Sequence, residues 1–166
     1  LDIEKMNFSF ERCDVIAIGR SLINMLQSIK HSSNASILFE TEIPELILYT
    51  DENRLRQLLI NLLINATKFT KEGSITLSIS LDKEEKNALF AVTDTGCGIP
   101  LEKQKAVFSR FEKLNAEVSR TGLGLSICQS IIHRLGGDIW IDSSYTKGAR
   151  FVFSHPTLNT DKANEQ

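Results

Sequence analysis

Strict alternation of apolar and polar residues in one short segment is the feature that most constrains the fold. The alternating segment has apolar residues at Ile75, Leu77, Ile79 and Leu81, and polar residues at Thr76, Ser78 and Ser80. Because successive side chains of a β-strand point to opposite faces, this pattern predicts a strand with one buried face. A charged turn, 82–87, separates it from a second predicted strand, Ala88–Asp94. The segment therefore indicates a β-hairpin in a sheet that is covered on one side.

Helical patterns alternate with further strands along the rest of the chain. Asp14 and Asp51 can each cap a helix, and the second of these helices is predicted to run to about Phe69. A later helix is predicted from the spacing of Leu123, Ile127 and Ile131. The remaining predicted elements are strands at Asn7–Glu11, Ile37–Glu42, Asp138–Asp142 and Ala149–Phe153, and a short helix at Leu101–Phe111. Each helix has one apolar stripe and the strands favour antiparallel hairpins, so we expect an α+β fold, a two-layer sandwich with helices covering one sheet face.

Composition places the chain among average globular domains. Its 166 residues suit one domain, and 42% hydrophobic with 24% charged residues excludes wholesale disorder. A net charge of -2 argues against non-specific nucleic-acid binding and against contact with a membrane surface. We find no membrane-spanning run and no signal-peptide pattern. The three separated cysteines fit neither a disulfide framework nor a zinc site, so we expect a cytoplasmic location.

The helix predicted at 51–69 carries an unusual polar stripe. Asn61, Asn65 and Lys68 lie at i, i+4 and i+7, and so share one face. Asparagine is a poor residue for a helix interior, because its side chain competes for backbone hydrogen bonds. Amide oxygens suit Mg²⁺, and a lysine one turn further on could contact phosphate. Taken alone, however, the stripe is better explained as a solvated helix face.

Two glycine-containing segments could border a ligand. Asp94–Pro100 ends a strand with a carboxylate, which could accept a hydrogen bond from an exocyclic amine such as that of adenine. Thr121–Leu125 opens a helix whose free N–H groups could bind phosphate. Arg110, Lys113 and Arg120 flank the loop before it. Each signal is weak by itself, since an ordinary turn, a lone Gly-x-Gly and solvated loop cations explain them as well.

Together, in this order, four segments resemble the motifs of the catalytic ATP-binding domain of sensor histidine kinases. That domain belongs to a superfamily shared with gyrase, the heat-shock chaperone ATPases and the mismatch-repair ATPases. The segments are an asparagine box at Asn61–Thr70, a first glycine box at Asp94–Pro100, a phenylalanine box at Phe108–Phe111 and a second glycine box at Thr121–Leu125. The resemblance covers roughly residues 8–156, and four ordered motifs are far more specific than any one of them.

The resemblance implies a Bergerat-type sandwich, with a mixed and mostly antiparallel sheet, that binds ATP and Mg²⁺. Asn65 would bind Mg²⁺ with help from Asn61, and Asp94 would read the adenine amine. The residues implied in catalysis are Asn61, Lys68, Arg110 and Lys113. Those implied in nucleotide binding are Asn65, Asp94, Gly96, Gly98, Ile99, Phe111, Thr121, Gly122, Leu123, Gly124 and Leu125. The implied reaction is transfer of the γ-phosphate to a histidine imidazole.

Asn61 separates the branches of this superfamily. In the gyrase and chaperone relatives its place is held by a glutamate that activates water, and an amide cannot act as a general base. The residue therefore favours transfer to a protein acceptor over hydrolysis.

The acceptor histidine of the family's motif is followed by an acid, and His31, His133 and His155 do not match it. We therefore expect the acceptor on a helical dimerisation domain outside this chain, with residues 1–6 as a stub of its helix. Residues 7–156 would form the catalytic domain and 157–166 a flexible polar tail. The expected partners are that helical domain and the receiver domain of a response regulator, and the chain alone is expected to be a monomer.

Two alternatives stay open. One is a degenerate nucleotide-binding module without phosphotransfer. It is favoured by Ser119-Arg120, which stand where the family usually has glycine, and by Ala149, where a Ser or Thr is common. The other is an ATPase of the gyrase or chaperone branch, which Asn61 disfavours.

Overall fold

A computed structural model of the chain describes residues 7–29, 33–108 and 125–158. The first half of the domain contains β1 (Glu11–Asp14), α1 (Val15–Ser28), β2 (Ser36–Thr41), β3 (Ile47–Thr50) and α2 (Glu52–Phe69). The second half contains β4 (Ser74–Leu81), β5 (Asn87–Asp94), α3 (Leu101–Gln104), α4 (Ser126–Leu135), β6 (Asp138–Ile141) and β7 (Arg150–Pro156).

Five strands form one mixed sheet in the order β2-β4-β5-β7-β6. The predicted hairpin is its centre, with Ile75 opposite Asp94 and Leu81 opposite Ala88. β2 pairs with β4 in parallel, and the other pairs of this sheet are antiparallel. β1 and β3 form a separate antiparallel pair. The expectation of a mixed, mostly antiparallel sheet is confirmed.

The apolar stripes of the helices and one face of the sheet form a single core. α1 contacts β2 and β4, α2 contacts β4 and β5, and α4 contacts β6 and β7. Ile75 and Leu77 of the alternating strand are fully buried, as are Leu58 and Leu62 of α2. This two-layer arrangement agrees with the predicted α+β sandwich.

Two aspartates fix where the long helices begin. The Asp14 carboxylate accepts the N–H of Ile16 at the start of α1, and also the N–H of Leu46 just before β3. The Asp51 carboxylate accepts the N–H of Arg54 at the start of α2. Each cap therefore satisfies a helix donor that would otherwise be unpaired.

Several predicted boundaries were wrong. Residues 7–10 are not a strand, and β1 begins only at Glu11. β3 was not predicted, because four residues after Pro44 give too short a pattern. The helix expected at 101–111 ends at Gln104, and 105–108 are turns. β7 extends to Pro156, and Thr157 of the expected tail still donates its N–H to the Lys86 carbonyl.

No helix within the described residues combines the length and the hydropathy that crossing a membrane requires.

Candidate functional site

A cavity opens where the last turns of α2 meet the end of β5. It is lined by Leu62, Asn65, Ala66, Phe69, Asp94, Gly98, Ile99, Ala149 and Phe151. Two residues singled out from the sequence, Asn65 and Asp94, therefore face the same space although they lie on different elements. The remaining walls are apolar, and Gly98, Ile99 and Ala149 also line an adjoining cavity of about 390 Å³. That volume is within the range of small-molecule sites, which combine apolar walls with a few placed polar groups.

Asp94 is held in the cavity wall by backbone donors. The residue is buried, and its Oδ1 accepts the N–H of Gly96 at 2.9 Å and the N–H of Ala149 at 3.1 Å. Burial raises the pKa of this carboxyl above its usual range, and the two backbone hydrogen bonds oppose that rise. Its other oxygen, Oδ2, receives no well-formed hydrogen bond from the described residues. That oxygen is the one that could accept a ligand's amine.

Thr70 adds an unsatisfied polar atom beside Asp94. Its Oγ1 is buried and has no hydrogen-bond partner among the described residues. The hydroxyl lies near enough to favour the ionised carboxylate of Asp94, but without hydrogen-bond geometry. Because buried polar atoms are normally paired, such an atom indicates a place for a ligand or a water.

Asn65 projects into the cavity from α2. It is only 6% exposed, and its side chain makes no hydrogen bond within the described residues. No cluster of three His, Cys, Asp or Glu residues that could hold a metal occurs in the described part of the chain. A metal ion at this site would therefore rely on an amide oxygen and on ligand oxygens. That donor set suits Mg²⁺, which usually keeps few protein ligands.

The polar stripe of α2 divides in the structure. The amide Nδ2 of Asn61 lies 3.6 Å from Sγ of Cys128 on α4, and Asn61 is outside the cavity lining. Burial raises the pKa of the Cys128 thiol to about 11, so its sulfur is a neutral acceptor. Lys68 is exposed near the end of α2. The structure therefore brings Asn65 to Asp94, and it does not bring Asn61 or Lys68 to the cavity wall.

The glycines of this region permit close backbone approach. Gly98 lines the cavity with φ +72°, a conformation that favours glycine. A Cβ on Gly148 would lie 2.1 Å from the carbonyl oxygen of Asp94. Gly96 packs against the end of α2, where a Cβ would lie 2.1 Å from the Phe69 carbonyl oxygen, and it does not line the cavity.

Several predicted residues lie outside the described part of the chain. They are Arg110, Phe111, Lys113, Arg120, Thr121, Gly122, Leu123 and Gly124. Leu125 is buried immediately before α4, and Ile99 lines the cavity. Phe108, the first residue of the phenylalanine box, packs edge-on against Phe151 of the cavity wall.

Other residues of the site were missed by sequence reasoning. Ala149 was noted only for a lost hydroxyl, yet its N–H holds Asp94. Tyr145 donates its hydroxyl to the Asp94 carbonyl oxygen at 2.8 Å. Both residues belong to the turn between β6 and β7, about 50 positions from Asp94. A contact over that separation leaves no periodic signal in one sequence.

Comparison with known proteins supports the same interpretation. Residues 50–159 match the family described as histidine kinase-, DNA gyrase B- and HSP90-like ATPase. The adaptive-response sensory kinase SasA of Gloeothece citriformis is 40% identical over 128 residues, covering 74% of this chain and 32% of SasA. The sensor histidine kinase WalK of Bacillus subtilis is 32% identical over 160 residues, covering 92% of this chain and 26% of WalK. The chain thus spans a third or less of these curated relatives.

A solved structure matches nearly end to end. The catalytic domain of the histidine kinase ThkA superposes with a TM-score of 0.79 at 30% identity, covering 90% of this chain and 97% of that domain. The family match over residues 50–159 contains the cavity lining, including Asn65 and Asp94. The chain therefore belongs to the family of histidine kinase-, DNA gyrase B- and HSP90-like ATPases, and within it is a histidine kinase catalytic domain.

Proposed function

We propose that the cavity binds Mg²⁺-ATP between Asp94 and Asn65, and that the bound nucleotide donates its γ-phosphate to a histidine on a helical domain outside this chain. One observation carries the proposal. Asn65 and Asp94 are each more than nine-tenths buried, line one cavity, and keep side-chain oxygens without hydrogen bonds from the described residues. Beside them, the buried Thr70 hydroxyl has no hydrogen-bond partner among the described residues, and such atoms are rare unless a ligand or a water pairs with them.

The Asp94 end of the cavity suits the base. A carboxylate oxygen accepts the hydrogen bond of an exocyclic amine, and apolar walls such as Ile99 and Phe151 suit the faces of a flat ring. Guanine presents a carbonyl oxygen where adenine presents its amine, so a carboxylate there would repel it. We therefore propose selectivity for adenine over guanine.

The Asn65 end suits the metal and phosphates. The Asn65 amide oxygen would hold Mg²⁺, which supplies neutralisation of phosphate charge when bound. Asn61 is close by in sequence but is hydrogen-bonded to Cys128, so we assign it an assisting role. Lys68 is exposed outside the cavity lining, and Arg110, Lys113 and residues 121–124 lie outside the described part of the chain, so their contacts with phosphate stay predictions.

Two solved relatives support the remaining parts of the proposal. Full-length ShkA, 27% identical with a TM-score of 0.78, was solved in complex with AMPPNP. ThkA, 29% identical with a TM-score of 0.74, was solved in complex with the response regulator protein TrrA. By this likeness we propose a response regulator as a downstream partner. Because its cysteines are free thiols, we also propose the cytoplasm, where thiols stay reduced and ATP is supplied.

The proposal is tested by titrating the purified chain with ATP, ADP and GTP, with and without Mg²⁺. Parent protein is expected to bind adenine nucleotides more tightly than GTP, and ATP more tightly with Mg²⁺ than without. Asp94→Asn should weaken adenine binding about ten-fold or more, since an amide has one acceptor oxygen in place of two. Asn65→Ala should abolish the gain from Mg²⁺ and leave metal-free binding nearly unchanged. Isothermal calorimetry measures all of these affinities.

Leu38→Ala is a suitable control, because Leu38 is exposed on β2, away from the cavity lining. It should bind like the parent. Folded Asp94→Asn and Asn65→Ala proteins with parental affinities would rule out this cavity as the nucleotide site. Binding that resembles the proposal without later phosphotransfer would support the degenerate module instead.

A further inference from the structure

The hydrogen-bond ladder between β5 and β7 is interrupted at Asp94. Thr93 and Arg150 are in register, so Asp94 and Ala149 form the next pair. The Asp94 N–H donates to the Ala149 carbonyl at 2.9 Å, as in an ordinary antiparallel pair. Such a pair normally exchanges two bonds, the second running from the Ala149 N–H to the Asp94 carbonyl. Here the Ala149 N–H instead donates to the Asp94 carboxylate oxygen Oδ1 at 3.1 Å.

Tyr145 supplies the missing donor. Its hydroxyl donates to the Asp94 carbonyl oxygen at 2.8 Å, close to the ideal length for such a bond. Burial and the nearby Asp94 carboxylate raise the pKa of the Tyr145 hydroxyl, so it keeps its proton at neutral pH. The carbonyl oxygen of a buried residue is thereby satisfied without using the Ala149 N–H.

The turn that carries Tyr145 is itself fixed to β5. Asp142 donates its N–H to the Arg150 carbonyl, and the Arg150 guanidinium donates to the Thr93 hydroxyl at 2.8 Å. The Tyr145 N–H donates to the Asp142 carbonyl at 3.2 Å. Gly148 lets the same turn lie directly against the Asp94 carbonyl, where any Cβ would collide. Tyr145 therefore reaches Asp94 from a rigid support.

We propose that Tyr145 is a positioning residue for recognition of the base: by occupying the Asp94 carbonyl, it leaves the Ala149 N–H free to orient the Asp94 carboxylate toward the cavity. The inference rests on the proposed function of Asp94. Without the hydroxyl, the Ala149 N–H returns to the Asp94 carbonyl, and the carboxylate keeps only the hydrogen bond from Gly96. The carboxylate is then free to rotate away from the position that meets an adenine amine.

Tyr145→Phe tests this, because it removes the hydroxyl and leaves the ring. Dissociation constants for ATP, ADP and adenosine should all rise by a similar factor, about three- to ten-fold for one lost positioning hydrogen bond. The gain from Mg²⁺ should be unchanged, since the effect lies at the base. The Ala149 amide proton resonance should also move upfield, as its hydrogen bond changes from a carboxylate to a carbonyl acceptor. Calorimetry and a nitrogen-15 NMR spectrum provide the two readouts.

The only other tyrosine of the sequence provides a matched control. Tyr49 is on β3, stacks on Phe10 and is 42% exposed, so Tyr49→Phe should change neither affinity nor the Ala149 resonance. The inference would be overturned if Tyr145→Phe lowered the melting temperature while the affinities and the Ala149 resonance stayed those of the parent. Tyr145 would then only stabilise the turn. If Asp94→Asn also leaves adenine binding unchanged, the proposed function fails instead.

A stability cycle gives a second, independent test. In an Asp94→Ala background there is no carboxylate to hold, so the Ala149 N–H can pair with the carbonyl of residue 94. Tyr145→Phe should then lower the unfolding free energy less than it does in the parent chain, as measured by urea denaturation. Equal losses in both backgrounds would mean that the hydroxyl does not act through the Asp94 carboxylate, and would overturn the inference.

Discussion

His155 is a buried titratable residue that does not line the cavity. It is 1% exposed on β7, and its ring nitrogens lie 2.9 Å from the Thr50 hydroxyl and 2.9 Å from the Pro156 carbonyl oxygen. Burial lowers the pKa of this imidazole below its ordinary value of 6.5. The folded domain therefore holds His155 neutral at a pH where the unfolded chain protonates it.

This shift predicts acid sensitivity of the fold. Between the lowered pKa and about 6.5, the unfolded chain binds more protons than the folded one, so the unfolding free energy falls as the pH falls through that range. His155→Gln should flatten this dependence, because glutamine does not titrate. Urea denaturation at several pH values from about 5 to 7.5 measures the slope.

His133→Gln is the matched control for this experiment. The His133 side chain is more than half exposed on α4, so this variant removes a histidine and leaves the buried His155 in place, and the slope caused by His155 should remain. Parent and His155→Gln proteins with the same slope would show that burial of His155 does not couple protonation to unfolding.

Single residues also show how far sequence reasoning reaches. Asp94 and Asn65 could be proposed as site residues only through the four ordered motifs, since each signal was weak by itself, and the structure shows that both line one cavity. Thr70 and Tyr145 could not be proposed, since each acts through a contact with a distant segment. Asn61 shared the stripe of Asn65, yet the structure hydrogen-bonds it to Cys128. The spacing of residues along α2 predicted the helix face that carries Asn61, but it could not show which residue of another element would contact that face.

At the scale of elements, Asp51 joins the start of α2 to the segment before β1. Its Oδ1 accepts the N–H of Arg54 at 3.0 Å, and its Oδ2 accepts the N–H of Ser9 at 2.7 Å. One carboxylate therefore caps the helix that carries Asn65 and also fixes the entering chain. Both hydrogen bonds are partly buried, so water cannot fully replace them when the carboxylate is removed.

Asp51→Ala is expected to lower the unfolding free energy by about 2 kcal/mol, through the lost helix cap and the lost bond to Ser9. Asp51→Asn should lower the unfolding free energy less, because its amide oxygen still accepts the Arg54 N–H and only the acceptor for the Ser9 N–H is lost. Urea denaturation at neutral pH measures both. A change in Asp51→Ala below about 0.5 kcal/mol would show that water replaces the cap without cost.

The elements differ in how predictable they were. β4, β5 and the beginnings of α1 and α2 agreed with their patterns, because alternation, helical stripes and aspartate caps act within a few residues. β1 and β3 did not, since each has four residues and pairs only with the other in the described structure. The parallel pairing of β2 with β4 brings together strands separated by the whole of β3 and α2. Alternating apolar and polar residues predict a strand, but they do not predict whether it pairs with its neighbour in a parallel or an antiparallel direction.

At the scale of the whole molecule, the cavity depends on three distant parts of the chain. α2 provides Asn65, the end of β5 provides Asp94, and the turn after β6 provides Ala149. Secondary structure alone does not create this arrangement, because the β7 pairing must first bring the turn to β5. The proposed nucleotide site should therefore exist only in the complete fold, and ligand binding should stabilise the domain as a unit.

Phosphotransfer is expected to need a second domain. The described histidines are not expected to be acceptors, since neither His133 nor His155 matches the family's acceptor motif and His155 is also buried. With γ-labelled Mg²⁺-ATP, the chain alone should gain no acid-labile, base-stable label, whereas an added helical domain carrying the acceptor histidine should be labelled. Asn65→Ala should abolish that labelling, and Leu38→Ala should not.

Label on this chain itself would contradict the prediction. Steady ADP release without an acceptor would instead place the chain with the hydrolysing branch, despite the amide at Asn61.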